Sequence, residues 1–334
     1  MVKKFMLPFL RIITLLIFFK VMFINFTYAD SGPVGFDDWL SAYKQQALNK
    51  GISKKTIDNV FKDVKFLDQV IKYDRRQPEF FEDTSTYVGK RATKKRAEIA
   101  GKLLKKNLKL FIEVENKFNV EKEILLALWG IETNFGKHVG KMDIISSLAT
   151  LSYDKRRRDF FSSQLMTLLK LIDKNLIDPN KLYGSWAGAY GNFQFMPSTI
   201  NKYAIDYDNN NKIELVMSLE DSLASAANYI NKIGWQKELP CFYRVKLTKK
   251  IKKKYINLSA KKISYKFKIS YWKKKGIVNF DGTELQSNLK AALILPDGEP
   301  ETPTFLVFDN YEKILKWNRS LRFGISVCTL AKMI

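Results

Sequence analysis

One carboxylate in the sequence stands in surroundings that suit acid catalysis. Glu132 lies near the end of an apolar segment, with Trp129, Ile131 and Phe135 beside it. Poor solvation disfavours the charged form of a carboxyl group and raises its pKa, which a general acid for glycoside cleavage requires. The alternative is a structural glutamate that caps the helix or forms a salt bridge at its end. The residues around Glu132 leave both interpretations open.

A second segment, residues 183–197 (YGSWAGAYGNFQFMP), combines glycines with aromatic and polar side chains. Glycine permits a close approach of the backbone to a ligand. Ser185 and Gln194 supply hydrogen-bonding groups, and aromatic rings such as that of Phe195 offer faces for sugars. A tight turn between packed helices is the other interpretation.

A third segment, residues 206–214 (DYDNNNKIE), resembles the start of a calcium-binding loop. The side-chain oxygens at alternate positions belong to Asp206, Asp208 and Asn210. The turn glycine of the standard loop is replaced by Asn211, which can adopt the left-handed conformation. Met217 occupies the twelfth position, where a bidentate glutamate is expected. The segment predicts either a calcium site or a plain Asx-rich turn.

The residue inventory excludes several other chemistries. His138 is the one histidine, so clustered histidine zinc sites are excluded, and a Ser-His-Asp triad would have to use it. No glycine-rich phosphate loop follows an apolar strand. Carboxylate chemistry, or binding without chemistry, remains.

The charge of the chain is strongly positive. Among 334 residues, 57 Lys and Arg oppose 34 Asp and Glu, a formal net charge of +23. Such a surface prefers polyanions such as nucleic acid, anionic membrane or an acidic wall polymer. A general compositional bias towards lysine explains the excess equally well, so charge alone does not identify a partner.

The N-terminus has the features of an export signal. Lys3 and Lys4 precede an apolar stretch that ends in Ala29, which is typical of a secretory signal over residues 1–29. Arg11 and Lys20 interrupt the stretch and favour a cleaved signal over a membrane tether. No cysteine lies near the junction, which excludes a lipoprotein anchor. For Cys241 and Cys328, elsewhere in the chain, the sequence leaves a disulfide or two buried thiols open.

Apolar spacing predicts the elements that position these segments. It predicts helices throughout residues 36–118, including one that begins at Ser53 and a continuous one over residues 99–118. Further helices are predicted over residues 119–136, 160–171 and 221–233, near Pro197 and from Asn310 onward. Alternating apolar and polar residues predict strands over residues 245–247, 263–269, 291–295 and 305–308.

Several short motifs, in a fixed order, resemble the lytic murein transglycosylase B family. They are YDRRQPEF (73–80), GIETNFG (130–136), LATLS (148–152), GSWAGAYG (184–191), QFMPS (194–198), ANY (227–229) and WNRS (317–320). The resemblance covers most of the chain after the signal.

The resemblance implies a fold and a domain organisation. The expected fold is α+β, mostly α, with a lysozyme-like helical catalytic core. The expected order is an N-terminal helical region (30–118), the core (119–239), a small inserted β lobe (240–308) and a C-terminal segment (309–334) that returns to the core.

The resemblance also implies a reaction. The family cleaves the β-1,4 bond between N-acetylmuramic acid (MurNAc) and N-acetylglucosamine (GlcNAc) without water and leaves 1,6-anhydromuramic ends. Glu132 would protonate the leaving oxygen and then accept the proton of the sugar's own 6-hydroxyl. No second carboxylate is then needed, unlike in ordinary glycosidases. The nearest other acid, Asp143, lies in no family motif.

The resemblance carries over binding residues one at a time. Ser185 and Gln194 resemble contacts to the sugar near the cleaved bond, Phe195 belongs to the same motif, and Tyr229 resembles an aromatic wall. Asn318 resembles a polar residue contributed by the returning C-terminal segment. Trp317 stands where the family more often has tyrosine, which leaves the remote subsites open.

Arg157 and Arg158 stand where the family has paired arginines, which suit the carboxylates of peptide stems. Arg156 replaces the family's preceding proline, so a register shift by one residue is open, as is a merely solvated basic face. For calcium, related enzymes bind the ion at the position of residues 206–214 with a later acid that matches Asp221. No cofactor is expected to be required.

Three functions remain in competition. The first is a periplasmic lytic transglycosylase whose partner is the peptidoglycan glycan strand, and the second is a hydrolytic muramidase of the same fold. The third is a non-catalytic wall-binding protein whose basic β lobe holds anionic polymer. The lysines of that lobe are Lys249, Lys250, Lys252 to Lys254 and Lys273 to Lys275. Nucleic acid is not expected as a partner of an exported protein.

Overall fold

The structure, a computed structural model, describes residues 33–76 and 82–334. The predicted signal at residues 1–29 lies outside this range, as do residues 77–80 of the first family motif. Within the described range, none of the helices combines the length and the apolar character needed to cross a bilayer. The helices are α1 (Phe36–Asn49), α2 (Lys54–Val60), α3 (Asp68–Arg75), α4 (Thr84–Arg91), α5 (Lys94–Lys106), α6 (Leu108–Phe118), α7 (Lys122–Thr133), α8 (Ile144–Tyr153), α9 (Arg158–Asp173), α10 (Pro197–Tyr203), α11 (Leu219–Lys232), α12 (Ile269–Lys274), α13 (Asp309–Trp317) and α14 (Leu321–Ala331).

Local capping explains where the N-terminal helices begin and end. The Ser53 side chain accepts a hydrogen bond from the Thr56 backbone N–H at 3.2 Å, which confirms the predicted start of α2. The continuous helix predicted over residues 99–118 is wrong, because α5 ends and α6 begins at Asn107. The Asn107 amide donates to the Leu103 carbonyl at 3.0 Å, and such a side chain competes with the helical backbone pattern.

Helix α7 runs through the centre of the helical body. Its residues Leu125, Leu126 and Leu128 are fully buried, and apolar side chains occupy almost its whole circumference. A helix that is apolar on all sides must be surrounded by other elements. Helices α5, α6, α11 and α14 pack against it. Its last turn, which contains Glu132, is therefore held by the packing of the helix, while Glu132 itself stays half-buried.

A small sheet is inserted between α11 and α13. Its strands are β3 (Phe242–Leu247), β4 (Ile256–Asn257), β5 (Phe267–Lys268), β6 (Ile277–Asn279), β7 (Lys290–Ile294) and β8 (Thr304–Val307). The strand order is β4-β7-β8-β3-β6, with β5 also paired to β7, and only the β4–β7 pairing is parallel among these strands.

Both faces of the sheet are buried. In β7, Ala292 and Ile294 join the core of the helical body, whereas Ala291 and Leu293 join a second core around Trp272 of α12. Because side chains alternate between the faces of a strand, one face attaches the sheet to the helical body and the other is covered by α12. The mixed, mostly helical architecture confirms the predicted fold class.

The strand predicted over residues 263–269 is largely wrong. Only Phe267–Lys268 forms a strand, and α12 takes over at Ile269. Ile263 packs into the core of the helical body while Phe267 contacts the second core, so their alternation reflects two separate partners. A short hairpin of β1 (Met142–Asp143) and β2 (Tyr183–Gly184) was not predicted.

A disulfide joins Cys241 and Cys328, which resolves the alternative that the sequence left open. Cys241 directly precedes β3, and Cys328 lies in α14. The bond therefore ties the first strand of the sheet to the last helix, across 87 residues of sequence.

Candidate active site

Glu132 lies in the last turn of α7, where the chain turns sharply. Asn134 and Phe135 both have positive φ angles, 50° and 60°. This turn folds the Phe135 ring back against Trp129, with ring centroids 5.7 Å apart. Gly130 leaves room for that ring, because a Cβ at this position would lie 2.8 Å from it. The apolar residues of the motif thus build the surroundings of Glu132.

Trp317 makes a direct contact with the Glu132 carboxyl group. The indole Nε1 donates to Glu132 Oε1 at 2.9 Å, across 185 residues of sequence. The indole stacks on Tyr229 at 5.0 Å between ring centroids and meets Phe195 edge-on at 5.2 Å. The aromatic cluster therefore fixes the donor, and the donor fixes one oxygen of the carboxyl group.

The surroundings of Glu132 change its acidity. Burial of the carboxyl group raises the pKa of Glu132 from 4.5 to about 7, although the Trp317 hydrogen bond acts in the opposite direction. No cation contributes to this pKa. The structure therefore does not support the interpretation of Glu132 as a salt-bridged structural residue. A side chain that remains half-buried and partly protonated near neutral pH suits a proton donor.

A cleft of about 650 Å³ lies beside this carboxyl group. Trp317 belongs both to the cleft and to the hydrogen bond with Glu132. The cleft is lined by aromatic, amide, hydroxyl and cationic side chains. They include Arg157, Phe160, Gln194, Phe195, Met196, Ser198, Thr199, Tyr229, Lys316, Trp317 and Arg319. No carboxylate is among these lining residues of the described chain.

The structure brings four of the seven predicted substrate-binding residues into this cleft. They are Arg157, Gln194, Phe195 and Tyr229. Gln194 donates from Nε2 to the backbone carbonyls of Val139 at 3.0 Å and Gly191 at 2.9 Å. Both amide hydrogens are thereby used, which orients Oε1 as the group available to a ligand. Burial raises the pKa of Tyr229 to about 12, so its hydroxyl stays neutral.

Ser185 instead organises the loop that carries the cleft residues. Its hydroxyl accepts from the backbone N–H of Ala189 at 3.0 Å. Added Cβ atoms at two loop glycines would meet protein atoms: at Gly184 the Ala189 carbonyl oxygen at 2.1 Å, and at Gly188 the Leu148 side chain at 2.5 Å. These two glycines therefore serve tight packing within the protein, which favours the packed-turn interpretation at both positions.

Asn318 and Arg158 lie outside the lining of the cleft. Asn318 is exposed at the end of α13, directly after Trp317. Arg158 is exposed and donates to the Tyr153 carbonyl at 2.9 Å. Their predicted roles in substrate binding stay predictions.

Residues 156–158 are three consecutive arginines, and a buried acid binds two of them. Asp74 is 3% exposed and forms ion pairs with Arg156 and with Arg157, the latter at 2.6 Å. Asp74 is buried, which opposes its ionisation, but the hydrogen bonds from these arginines prevail and lower the pKa of Asp74. The pair fixed by this acid is thus 156 and 157, one residue earlier than the pair suggested by the motif. Of the two, Arg157 also lines the cleft.

The nearest other acid in the sequence, Asp143, has a structural task. Its carboxylate accepts the Ser146 backbone N–H at 2.6 Å and caps α8.

The acidic loop has the backbone of a cation-binding turn. Asp206 accepts from the backbone N–H of Asn210 at 3.1 Å and of Asn211 at 2.8 Å. Asn211 has φ 65°, as expected for a residue that replaces the turn glycine. Carboxylate oxygens of Asp206, Asp208 and Asp221 lie within 4.8 Å of one another.

Asp221 is the buried member of this cluster. Its side chain is fully buried and accepts the backbone N–H of Tyr207 at 2.7 Å and of Glu214 at 2.9 Å. Burial and, to a smaller extent, the charge of Asp208 raise the pKa of Asp221. Grouped carboxylates of this kind are stabilised by a bound cation, so the donor set fits one. Met217 is 84% exposed and supplies no ligand oxygen.

Sequence reasoning missed Trp317 as a neighbour of Glu132. The motif WNRS drew attention to this segment, but only the fold brings α13 to the end of α7. The cations Lys316 and Arg319, which also line the cleft, were missed as well. The sequence could have indicated them, because they flank Trp317 and Asn318 of the family motif.

Comparison with known proteins identifies the family. The chain matches the family described as "Transglycosylase SLT domain" over residues 35–332 and belongs to it. It is 40% identical over 121 residues to the membrane-bound lytic murein transglycosylase B of Escherichia coli K12. That alignment covers 36% of this chain and 33% of the relative, so the matched part is about a third of the relative's length.

Two solved structures show the same fold. SltB3 from Pseudomonas aeruginosa, in complex with NAG-anhNAM-pentapeptide, superposes with a TM-score of 0.82 at 34% identity and covers 90% of this chain and 79% of its own. The E. coli lytic transglycosylase Slt35 in complex with calcium gives a TM-score of 0.74 at 26% identity, over 88% and 91%. The predicted family and fold are confirmed.

Proposed function

We propose that this protein is a peptidoglycan lytic transglycosylase that cleaves the MurNAc-β-1,4-GlcNAc bond without water and leaves 1,6-anhydromuramic ends. The observation that carries this proposal is the half-buried Glu132 side chain, with its pKa raised to about 7, beside a cleft lined by sugar-binding side chain types. Membership of the transglycosylase SLT domain family supports it.

Glu132 performs both proton transfers of the proposed reaction. In the first step its protonated carboxyl group donates to the glycosidic oxygen, and the bond from muramic C1 to that oxygen breaks. In the second step the carboxylate accepts the proton of the muramic 6-hydroxyl, whose oxygen bonds to C1. The carboxyl group ends as it began, protonated, and the raised pKa suits both roles near neutral pH.

The absence of a paired acid fits an internal nucleophile. Hydrolytic glycosidases use a second carboxylate to activate water or to attack the sugar. Asp143, the other acid nearest to Glu132 in sequence, is engaged as the cap of α8. This arrangement favours the transglycosylase over a hydrolytic muramidase.

The cleft supplies groups for holding the glycan. We assign the Gln194 amide oxygen to a hydrogen bond with the sugar at the cleaved bond and Tyr229 to an aromatic wall, against which the buried Phe195 ring packs. Ser185, in the loop of residues 183–197, is proposed to contact the sugar near the cleaved bond. Asn318, directly after Trp317, is proposed as a polar contact from the C-terminal segment. Arg157, at the cleft, and Arg158, beside it, are proposed to meet peptide carboxylates. SltB3 structures with NAG-NAM-pentapeptide and NAG-anhNAM-pentapeptide support glycan strands as the ligand.

We propose calcium as a structural ion of the acidic loop. Asp206, Asp208, Asn210 and Asp221 would hold it, and the fully buried Asp221 supports this assignment most strongly. The ion would neutralise the grouped carboxylates and stiffen the loop. The calcium complex of Slt35 is consistent with an ion in this family. No cofactor is proposed for the reaction itself.

We propose that the protein acts in the periplasm after export through the signal predicted at residues 1–29. The disulfide between Cys241 and Cys328 supports an oxidising compartment, because disulfides persist there and are rare in the cytosol. N-terminal sequencing of the exported protein tests whether the signal is cleaved or tethers the protein.

We also propose the domain division at residues 118, 239 and 308. The six strands of the main sheet fall between Phe242 and Val307. Residues of α13 and α14 return to the core of the helical body, which supports a C-terminal segment that completes it.

The proposed activity is tested with purified protein, the Glu132→Gln variant and cell-wall sacculi, followed by mass spectrometry of the soluble muropeptides. Anhydro-ended products from the wild type and none from the variant are expected. Products heavier by one water would show a muramidase. Binding to sacculi without any release would leave a non-catalytic wall-binding protein.

A further inference from the structure

A second cavity, of about 320 Å³, adjoins the catalytic cleft. It lies between the helical body and the segment that connects β4 to β5. Lys316 and Arg319 line both cavities, so the two adjoin at these residues. We call this cavity the lysine subsite; its lining residues are Ala260, Lys261, Lys262, Ile263, Glu312, Leu315, Lys316 and Arg319.

The segment that carries Lys261 and Lys262 is held in place from both sides. The buried Asn257 side chain donates to the Ser264 carbonyl at 3.0 Å and accepts the Ser264 backbone N–H at 2.7 Å. Ile263 is 9% exposed and packs into the core of the helical body. The two lysines are therefore presented by an anchored backbone.

Both acids near the lysine subsite already have a cationic partner in Lys266. Lys266 forms ion pairs with Asp309 at 2.7 Å and with Glu312, the one acid in the lining of the subsite. Lys261, Lys262, Lys316 and Arg319 are exposed. None of the salt bridges within the described residues involves them. Four cations thus surround a concave space without an internal partner, as an anionic ligand requires.

The subsite is placed next to the proposed chemistry. Lys316 and Arg319 flank Trp317 and Asn318 in sequence, and Trp317 contacts Glu132. The Lys316 carbonyl also accepts the Tyr229 hydroxyl at 3.1 Å, which fixes the backbone at the junction of the two cavities. A glycan in the cleft would place groups attached to its sugars within reach of the subsite.

We propose that the lysine subsite binds carboxylates of the peptide that muramic acid carries, and so selects glycan strands with peptide stems. The inference rests on the proposed function. When the peptide is attached, the muramic lactyl group is an amide and the N-acetylated sugars carry no charge, whereas the peptide carries free carboxylates. The peptide is therefore the part of the substrate that matches four unpaired cations.

Binding of two defined ligands tests this inference on the full protein. The ligands are GlcNAc-MurNAc-pentapeptide and the same disaccharide whose lactyl carboxyl group is capped as a simple amide, so that it carries no charge, titrated by calorimetry at low salt and in 0.5 M NaCl. The test variant is Lys261→Ala/Lys262→Ala. The matched control, Lys252→Ala/Lys253→Ala, removes the same charge from exposed residues of the β lobe outside the subsite.

The wild type is expected to bind the peptide-bearing ligand more tightly, with an advantage that shrinks in high salt. The test variant should weaken that ligand alone by about fivefold, as two solvated ion pairs imply. The control variant should match the wild type. Equal losses in both variants, a loss on both ligands, or no advantage of the peptide in the wild type would each overturn the inference.

Turnover of sacculi by the same preparations separates this inference from the proposed function. Absence of lytic products together with the expected binding pattern would refute the activity and retain the subsite. Lytic products without the binding pattern would retain the activity and refute the subsite.

Discussion

The hydrogen bond from Trp317 to Glu132 predicts a change in pH dependence when it is removed. In the Trp317→Phe variant the indole N–H is lost, while an aromatic ring remains to stack on Tyr229. The N–H donor stabilises the charged carboxylate and holds the pKa of Glu132 down against the effect of burial. Its loss should therefore raise the pKa of Glu132 above its present value of about 7.

The size of the effect follows from the strength of the bond. A hydrogen bond to a charged group contributes about 1.5–3 kcal/mol, and one pKa unit corresponds to about 1.4 kcal/mol. Because Glu132 is half-buried and water can replace part of the bond, we expect a rise of about one pKa unit. The first step needs protonated Glu132, so the alkaline limb of kcat/KM should move upward by the same amount.

The maximal rate should fall at the same time. The indole fixes Oε1, and a carboxyl group free to rotate spends less time in the geometry for proton transfer. The variant is therefore expected to be slower at its pH optimum yet to retain activity at higher pH than the wild type.

Initial rates of anhydromuropeptide release between pH 5 and 9 measure both effects. The control is Tyr203→Phe, which changes the ring on the other side of Tyr229, 4.5 Å away between ring centroids. Tyr203 forms no hydrogen bond to Glu132, so its variant should keep the wild-type limb. An alkaline limb that stays in place or moves to lower pH in folded Trp317→Phe would refute the reasoning.

Three further predictions concern stability. Burial raises the pKa of Glu132 from 4.5 to about 7, so the wild type loses stability as pH rises through that interval, by about 3 kcal/mol at most. Glu132→Gln should consequently unfold at a higher temperature than the wild type at pH 8, and equal gaps at pH 4 and 8 would contradict this. Replacing both Cys241 and Cys328 by serine opens a loop of 87 residues and should lower the free energy of unfolding by about 2–4 kcal/mol in denaturant titrations. Calcium at 100 times its Kd should stabilise the wild type by about 3 kcal/mol but leave Asp221→Asn unchanged in thermal melts, whereas equal stabilisation of both proteins would refute the assigned site.

Much of the fold could be read from local patterns. Ser53 was predicted as the start of a helix because its hydroxyl can cap the next turn, and the structure confirms that bond. The helices around residues 119–136 and 221–233 were predicted because apolar spacing reflects a buried face. The helix break at Asn107 was not predicted. Whether its side chain bonds to water or to the backbone of its own helix depends on the folded context.

The β lobe marks the limit of pattern reading. The alternation over residues 263–269 fits a strand, but Ile263 and Phe267 contact different cores on opposite sides of the sheet. A period of two tells which side chains share a direction, and it does not tell which partner each side chain meets. The short pairings of β1 with β2 and of β4 with β7 join segments far apart in sequence, so no local pattern indicated them.

The sequence by itself indicated the family and singled out Glu132 as the candidate acid. Glu132 was recognisable because desolvation by its neighbours in one helix is a local property, and the ordered motifs are properties of the chain alone. The tertiary structure decided what touches that acid. Trp317 reaches Glu132 across 185 residues, Asp74 selects Arg156 and Arg157, and Cys241 meets Cys328. These contacts depend on how the last helices return to the helical body, and that return is fixed by the packing of the whole core.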